Sequence, residues 1–520
     1  MTAHSIERDF RRRIEAAEVY AVAVKTPLSP APSLSERLGH NVWLKREDLQ
    51  PVFSFKLRGA YNRMRLLDGQ ANGHGVVAAS AGNHAQGVAL SARHLRLPAQ
   101  IVMPVTTPPI KIEAVRRQGA SIILHGDQYD DAYDYAQRLA TTTKACFIHP
   151  FDDPEIIAGQ GTIGQEILQQ ASQSPDAIFV PVGGGGLIAG IAAYVKAVAP
   201  TSRVIGVECE DSACLSAAMT AGRRVSLDKV GIFADGVAVR QVGELNFAIA
   251  RKLVDDVITV TVDQICAAIK DVFEDTRTLA EPAGALSVAG LKKYAETQTG
   301  HQQLVAIHSG ANINFDRLGH VVERAEIGEG HEALLAVTIA EQAGSFLRFC
   351  KKLGHHSVSE FNYRYSGPSQ AQVFVGLRTS DDGDKQAIIN RLRGNGYPVL
   401  DLSDNELAKL HLRHMVGGIS SGAIDEVIYR FEFPERPGAL LEFLSRLAGR
   451  WNISLFHYRN HGAAYGRVLA GFGVPAADRG EFQLFLDTLG YRWTNESDNP
   501  AYQRFLAQLQ SPSKSQLAAN

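Results

Sequence analysis

The segment SFKLRGAYN, residues 54–62, places a lysine between two apolar side chains. Lys56 is flanked by Phe55 and Leu57, so its ammonium group either reaches along the surface to water or takes part in chemistry. Desolvation lowers the pKa of a lysine, and the neutral amine that results can attack a carbonyl carbon. The segment by itself leaves both interpretations open.

A second chemical candidate is the run of four glycines in IFVPVGGGGLIAG, residues 178–190. Glycine amides can surround an anion without interference from Cβ atoms, so we predict a phosphate site at residues 183–186. No GK[ST] follows, which excludes a Walker loop. Gly184, Gly186 and Ala189 also fit the relaxed dinucleotide fingerprint, with Glu208 as the ribose-binding acid. A nicotinamide-dependent dehydrogenase therefore remains an alternative.

Three shorter segments add polar side chains after apolar runs. In SAGNHAQG we predict that Ser80 and Asn83 cap the next helix, which leaves backbone N–H groups for a carboxylate or phosphate. We interpret His84 as a structural partner rather than a base. Ser309, in HSGANINF, is predicted at the same sheet edge as the glycines, where it is either a turn residue or a donor to a ring nitrogen. Glu281, in LAEPAGA, is interpreted as ordinary helix initiation.

The elements that must position these residues alternate regularly through the first part of the chain. Short apolar runs typical of buried strands are separated by longer amphipathic runs with helical spacing. This alternation predicts an α/β fold with a doubly wound, largely parallel sheet, whose ligands lie beyond the carboxyl ends of the strands. The predicted strands are residues 75–80, 99–104, 121–125, 177–182, 203–208 and 303–308.

The pattern changes after residue 317, where the chain begins to repeat itself. Segment 335–364 aligns with segment 428–459, and both consist of a strand, an E-x-x-G motif, an apolar helix and a strand ending in F-N/H-Y-R. Two copies predict paired βαβ-type modules that share a sheet, since a solenoid requires more repeats. The matched positions are Gly344 with Gly438, Phe361 with Phe456, and Arg364 with Arg459.

Composition excludes several classes of protein. A length of 520 residues predicts two to four domains, and 53 basic against 55 acidic residues gives no bulk charge for nucleic acid or an anionic membrane. The five cysteines form no CxxC pair, and no apolar run suits a membrane span, so we predict a cytoplasmic protein. His411 and His414 have no acidic or thiol partner nearby in sequence, so we predict no metal site.

Together, Lys56, the Asn83 turn, the tetraglycine run and Ser309 resemble the fold-type II pyridoxal-phosphate enzymes of the threonine/serine dehydratase group. The resemblance implies pyridoxal 5′-phosphate as cofactor and Lys56 as its Schiff-base lysine and catalytic base. It also implies that Asn83 contacts the phenolic oxygen of the ring and Ser309 its nitrogen. The cofactor-binding residues implied are Lys56, Asn83, Gly183, Gly184, Gly185, Gly186, Leu187 and Ser309.

The doubled C-terminal unit resembles the paired ACT-like regulatory domains of the biosynthetic threonine ammonia-lyases. That resemblance implies β-elimination and deamination of L-threonine to 2-oxobutanoate and ammonia, the first committed step of isoleucine biosynthesis. It also implies that L-serine is accepted as a substrate. It further implies inhibition by isoleucine, opposition by valine, and a homotetramer. A non-catalytic amino-acid sensor, for which the repeats alone would suffice, is the other alternative.

The resemblance also implies domain boundaries. We expect a catalytic domain at residues 1–325, in which a smaller subdomain of about 55–150 is inserted, built like the β subunit of tryptophan synthase. Two α+β regulatory domains are expected at 332–404 and 426–498, followed by a disordered tail at 508–520.

Overall fold

The computed structural model divides the chain into two compact units, Met1–Gly328 and Glu329–Asn520. The tail predicted at 508–520 and Gly438 of the repeat alignment lie outside the residues that the structure describes. Those residues are 2–67, 73–354, 356–365, 369–415, 417, 420, 425–434, 439–447, 450–459 and 465–506.

The strands of the first unit form two sheets. The larger sheet has the order β1-β2-β10-β7-β8-β9 and the smaller one β5-β4-β3-β6; β1 is antiparallel to β2, and the remaining pairs are parallel. The bounds are β1 (Leu28–Pro30), β2 (Asn41–Arg46), β3 (Val76–Ala79), β4 (Ala99–Met103), β5 (Ser121–Leu124), β6 (Cys146–Phe147), β7 (Ala177–Pro181), β8 (Arg203–Cys209), β9 (Asp256–Val260) and β10 (Gln303–His308).

Helices cover both faces of each sheet, so successive strand residues enter different cores. Val305 and Ile307 pack with α1, α7, α8 and α10, whereas Leu304 and Ala306 pack with α2, α11, α12 and α13. This double winding, which the apolar strands predicted, is confirmed. The helices are α1 (Ala3–Glu15), α2 (Pro32–Leu38), α3 (Lys56–Met64), α4 (Asn83–Leu95), α5 (Pro109–Arg116), α6 (Tyr129–Thr143), α7 (Pro154–Gln170), α8 (Gly186–Val198), α9 (Cys214–Ala221), α10 (Glu244–Leu253), α11 (Val262–Thr276), α12 (Pro282–Ala295) and α13 (Leu318–Gly328).

The second unit contains one antiparallel sheet of eight strands, in the order β14-β11-β13-β12-β16-β17-β15-β18. Each copy of the repeat contributes a β-α-β-β-α-β arrangement, a split βαβ unit, and α14, α15, α17 and α18 share one core with the sheet. The bounds are β11 (Glu332–Ala340), α14 (Ser345–Leu353), β12 (Val358–Arg364), β13 (Gln370–Arg378), α15 (Asp382–Gly394), β14 (Val399–Asp401), α16 (Glu406–Leu410), β15 (Glu426–Pro434), α17 (Ala439–Leu447), β16 (Asn452–Arg459), β17 (Tyr465–Gly473), α18 (Arg479–Thr488), β18 (Arg492–Asn495) and α19 (Pro500–Phe505).

The two copies of the repeat meet where β12 pairs with β16. Asn362 lies opposite His457 in this antiparallel pair, and the same two residues occupy equivalent positions in the repeat alignment. The rings of Phe361 and Phe456, another equivalent pair, meet edge to face with centroids 5.5 Å apart. The copies are therefore related by a local twofold axis, and the predicted sharing of one sheet is confirmed.

Candidate active site

The residues singled out in the sequence follow the carboxyl ends of strands from both sheets of the first unit. Ser309 directly follows β10, the four glycines begin two residues after β7, and Asn83 begins α4 shortly after β3. Parallel strands bring their carboxyl ends to one edge of a sheet, which is where doubly wound folds place their ligands.

A short antiparallel contact holds Lys56 beside Ser309. Residues 53–55 run alongside residues 309–311, and the backbone N–H of Phe55 donates to the carbonyl oxygen of Ser309 over 3.3 Å. Since Lys56 follows Phe55 and begins α3, its position is set by the loop that leaves β10.

The Lys56 side chain is half-buried and its amine makes one hydrogen bond in the described part of the chain. The Nζ atom donates to the carbonyl oxygen of Pro150 over 3.2 Å and lies 5.3 Å from the centroid of the Phe55 ring. Burial lowers the pKa of Lys56 to about 8, although the neighbouring Glu281 carboxyl opposes this shift. The structure thus favours the chemical interpretation, because a neutral amine is available near neutral pH.

Two glycines on neighbouring helices let these helices approach α3 closely. A Cβ atom on Gly87 of α4 would lie 2.9 Å from the backbone nitrogen of Leu57, and one on Gly159 of α7 would lie 2.7 Å from the Cα atom of Gly59. Real Cβ atoms do not approach so closely. The helix that begins with Lys56 is therefore held between α4 and α7 by backbone contact.

A buried ionic cluster fixes the next turn of α3. The Arg58 guanidinium is fully buried and forms ion pairs with Glu47 at 2.8 Å and Glu166 at 2.6 Å. Lys45, also fully buried, lies 2.5 Å from Glu166. Four charges taken out of water need this complete pairing, because one unpaired member would carry the whole cost of desolvation.

The four glycines form a loop that admits no side chains. A Cβ atom on Gly184 would overlap the ring of Phe151, and one on Gly183 would lie 2.9 Å from the Cα atom of Val237. Gly185 has a φ of +90°, in the left-handed region that favours glycine. Among the described residues, no side chain caps α8, so its first backbone N–H groups and the positive end of its dipole face the loop.

Although the sequence predicts that the Asn83 side chain caps α4, this side chain instead bonds to residues distant in sequence. Its Nδ2 group donates to the Glu281 carboxylate over 2.6 Å, and its Oδ1 atom accepts from the Asn312 side chain over 2.7 Å. Ser80 does not cap α4 either, since its hydroxyl accepts the backbone N–H of Gly82 over 3.2 Å. The capping prediction is wrong, because longer-range polar partners are available to Asn83.

The sequence did not predict the roles of Glu281 and Asn312. Glu281 occupies the N-cap position of α12, which confirms its interpretation as helix initiation, but its carboxyl makes no capping hydrogen bond to that helix in the described part of the chain. Burial raises the pKa of Glu281 to about 7, and the charge of Asp235 adds to this shift. The available signals were a carboxyl directly before a small-residue helix and an asparagine inside the SGAN segment.

The remaining predicted residues lie in the same region. Ser309 is buried, and its hydroxyl donates to the carbonyl oxygen of Ala283 over 3.2 Å. Leu187, in the first turn of α8, is buried in the core that this helix forms with the larger sheet. The His84 ring lies 3.0 Å from the carbonyl oxygen of Ile148, and burial, together with the Lys56 charge, lowers its pKa to about 3. The interpretation of His84 as a structural partner is confirmed.

The Glu208 side chain does not support the dinucleotide alternative. It is fully buried, and its two carboxylate oxygens accept the backbone N–H groups of Leu215 and Ser216, each over 2.8 Å. Burial raises the pKa of Glu208 to about 7. This carboxylate holds the start of α9 and is not directed towards a ribose.

Comparison with known proteins decides between the remaining interpretations. Residues 21–310 match the family described as "Pyridoxal-phosphate dependent enzyme". Residues 323–412 and 417–506 match "C-terminal regulatory domain of Threonine dehydratase". The biosynthetic L-threonine dehydratase IlvA of Burkholderia multivorans is 54% identical over 503 residues, which cover 96% of this chain and 99% of that relative. The chain belongs to the threonine dehydratase family.

Other members of the threonine dehydratase family are similarly close. The IlvA protein of Escherichia coli is 51% identical and covers 96% of this chain and 97% of its own length. Among solved structures, the processed form of threonine deaminase isoform 2 from Solanum lycopersicum superposes with a TM-score of 0.60 at 48% identity. That alignment covers 61% of this chain and 93% of the tomato chain.

Membership of the threonine dehydratase family confirms the predicted fold class and the cofactor, pyridoxal 5′-phosphate. The first unit fits this group, because the glycine loop leaves backbone amides open to a phosphate and Lys56 presents a half-buried amine. Among the described residues, no helix has the length and apolar character needed to cross a membrane.

Proposed function

We propose that this chain converts L-threonine to 2-oxobutanoate and ammonia, and that L-serine is a second substrate. The substrate first loses water, and hydrolysis of the resulting enamine then takes up one water and releases ammonia. The observation that carries the proposal is the placement of Lys56, which has a half-buried amine and directly follows the residue whose backbone is bonded to Ser309. This reaction would be the first committed step of isoleucine biosynthesis, and the name of the Burkholderia multivorans relative, which includes the word biosynthetic, supports this placement. Threonine and serine differ by one methyl group, which a pocket can distinguish by only about 1–3 kcal/mol.

We assign Lys56 to the aldehyde carbon of the cofactor and residues 183–186, with the backbone of Leu187, to its phosphate. Asn83 keeps one N–H of its carboxamide for the phenolic oxygen, since its Oδ1 and its other N–H already have partners. We assign Ser309 to the ring nitrogen, which its hydroxyl reaches by turning away from the carbonyl oxygen of Ala283.

The bound cofactor supplies an electron sink for the electrons released at the substrate Cα atom. The neutral Lys56 amine removes the proton from that atom, which its lowered pKa of about 8 permits. The backbone amides of residues 80–84 hold the substrate carboxylate at the uncapped start of α4. Ser309 presents a neutral hydroxyl, which limits electron withdrawal and favours prompt loss of the β-hydroxyl group over transamination.

Reductive trapping tests this assignment. Treatment of the full-length holoenzyme with borohydride, followed by peptide mapping, should place the cofactor on Lys56. The Lys56→Ala variant should lose both the adduct and turnover of L-threonine, whereas Lys293→Ala, on an exposed part of α12, should retain them. An adduct on another lysine, or none, overturns the assignment.

We further propose that the second unit binds isoleucine, which inhibits the enzyme, and that valine opposes this effect. The proposal is supported by its match to a regulatory domain. An effector acts only if its affinities for the active and inhibited states differ. Truncation after residue 330 should therefore abolish inhibition by isoleucine but spare turnover of L-threonine. Inhibition that survives truncation contradicts this placement of the effector site.

We also propose a homotetramer in the cytoplasm. All five cysteines lie in the described part of the chain and none of them forms a disulfide bond there, which supports a reducing compartment. Light scattering of the purified protein tests the assembly, and cell fractionation tests the location. A stable monomer, or a chain recovered with an organelle or an exported fraction, contradicts the respective proposal.

A further inference from the structure

The Glu281 carboxyl lies at a junction of three segments of the first unit. It accepts a hydrogen bond from the Nδ2 group of Asn83 over 2.6 Å. The backbone N–H of Glu281 also donates to the carbonyl oxygen of Gly310 over 3.1 Å. Glu281 thus connects the starts of α12 and α4 with the loop that follows β10.

Gly310 leaves the space that this carboxyl occupies. A Cβ atom on Gly310 would lie 2.5 Å from the Glu281 Oε1 atom, closer than real Cβ atoms approach. A side chain at position 310 would therefore displace the carboxyl that is bonded to Asn83.

The charges that act on Glu281 come from four elements. Lys56, at the start of α3, is the cation whose pKa Glu281 raises. Asp235 opposes the ionisation of Glu281, whereas Lys111 of α5 favours it. Lys111 pairs with Asp235 at 2.5 Å, and Arg317 lies 3.8 Å from Asp235. These cations partly neutralise Asp235, whose charge opposes the ionisation of Glu281.

We propose that Glu281 is a positioning residue, which holds the Asn83 carboxamide in one orientation and serves as the counter-charge of the Lys56 amine. This proposal rests on the function assigned above. An ionised Glu281 raises the pKa of Lys56 against the larger effect of burial, and loss of that charge frees the amine at lower pH. The hydrogen bond to Asn83 acts separately, because it directs the remaining N–H group of the carboxamide towards the cofactor.

Two variants separate the two roles. Glu281→Gln keeps an oxygen that can accept from Asn83 but removes the charge, whereas Glu281→Asp keeps the charge but shortens the reach to Asn83. Glu296→Gln makes the same chemical change on an exposed residue at the other end of α12 and is the matched control.

The first readout is the reactivity of the Lys56 amine in the full-length chain freed of cofactor. Trace labelling with acetic anhydride at a series of pH values, read by peptide mass spectrometry, gives its titration curve. Glu281→Gln should shift this curve to lower pH by about one unit. Glu281→Asp and Glu296→Gln should leave it in place. If the titration curve of Lys56 is not shifted in a folded Glu281→Gln variant, the proposed role of Glu281 as counter-charge is refuted.

The second readout is the affinity for pyridoxal 5′-phosphate, measured by fluorescence titration. Glu281→Asp and Asn83→Ala should each weaken binding, and the double variant should be no weaker than Asn83→Ala alone, because both remove one interaction. Additive losses overturn the orienting role. Borohydride mapping of the wild-type holoenzyme keeps the two outcomes distinct. If Lys56 is not labelled, the proposed function itself is refuted. If Lys56 is labelled but the losses are additive, only the orienting role of Glu281 is refuted.

Discussion

The backbone N–H of Phe55 donates to the carbonyl oxygen of Ser309 over 3.3 Å. This contact ties the segment that carries Lys56 to the segment that we assign to the nitrogen of the cofactor ring. A displacement of either segment therefore changes the position of the other. The reacting amine and the residue that controls electron withdrawal are parts of one small unit.

The nature of the side chain at position 309 should control the lifetime of the carbanion. A carboxylate next to the ring nitrogen keeps that nitrogen protonated, which makes the ring a stronger electron sink. Ser309→Asp should therefore build up a long-wavelength absorption band during reaction with L-threonine. Stopped-flow spectroscopy measures the band, and Ser309→Ala is the control without a carboxylate. If Ser309→Asp shows no new band, the serine does not limit electron withdrawal in this way.

The glycine loop should tolerate no side chain at position 184. Because a Cβ atom on Gly184 would overlap the Phe151 ring, Gly184→Ala must displace the loop and weaken its hold on the phosphate. We expect the dissociation constant for pyridoxal 5′-phosphate to rise by at least about tenfold, or about 1.4 kcal/mol. Gly319→Ala is the control, since its Cβ atom would meet nothing within 4 Å. Equal affinities of the two variants would contradict the phosphate assignment.

The buried ionic cluster should make Arg58 essential for stability. Arg58→Met removes the cation between Glu47 and Glu166 and leaves buried negative charge without its main partner. We expect the free energy of unfolding of the affected unit to fall by about 3–5 kcal/mol, as measured by urea denaturation. Arg12→Met, whose side chain is 79% exposed, should change it by no more than about 0.5 kcal/mol. Similar urea midpoints for both variants would show that the cluster contributes little.

Glu208 should make the protein less stable as the pH rises. Its pKa in the folded state is about 7, above its ordinary value of 4.5, so the native state binds this proton more tightly than the unfolded state does. The resulting stability is fully present below 4.5 and is lost as the pH rises through 7. Glu208→Gln should reduce this loss of unfolding free energy between pH 4.5 and 7. The reduction is up to about 1.4 kcal/mol for each unit by which the pKa of Glu208 is raised. Thermal unfolding across this range, with the exposed Glu210→Gln as control, measures the effect, and parallel curves for wild type and Glu208→Gln would refute it.

The strands predicted from apolar runs are confirmed in the structure as β3, β4, β5, β7, β8 and β10. The sequence did not reveal β2, because its Lys45 and Arg46 interrupt the apolar pattern although both are buried. The charge of Lys45 is compensated by Glu166, which lies 121 residues away in sequence. A local pattern carries no information about such a partner.

The same limit applies to the candidate site. Lys56, the glycine loop and Ser309 stand out because each follows or interrupts a regular element in an unusual way. Glu281 and Asn83 were each interpreted from their own helix starts, yet they bond to each other across 198 residues. Their importance depends on how the two sheets of the first unit come together, which local sequence does not specify.

Asn362 pairs with His457, its equivalent in the other copy of the repeat, as it would across the twofold axis of a homodimer. The second unit therefore resembles a homodimer whose two subunits are joined in one polypeptide. Association of the halves is intramolecular, so this interface forms at any protein concentration. Fusion also removes the requirement that both halves stay identical. A residue on one half therefore has a counterpart on the other that can change independently, as Asn362 and His457 already have.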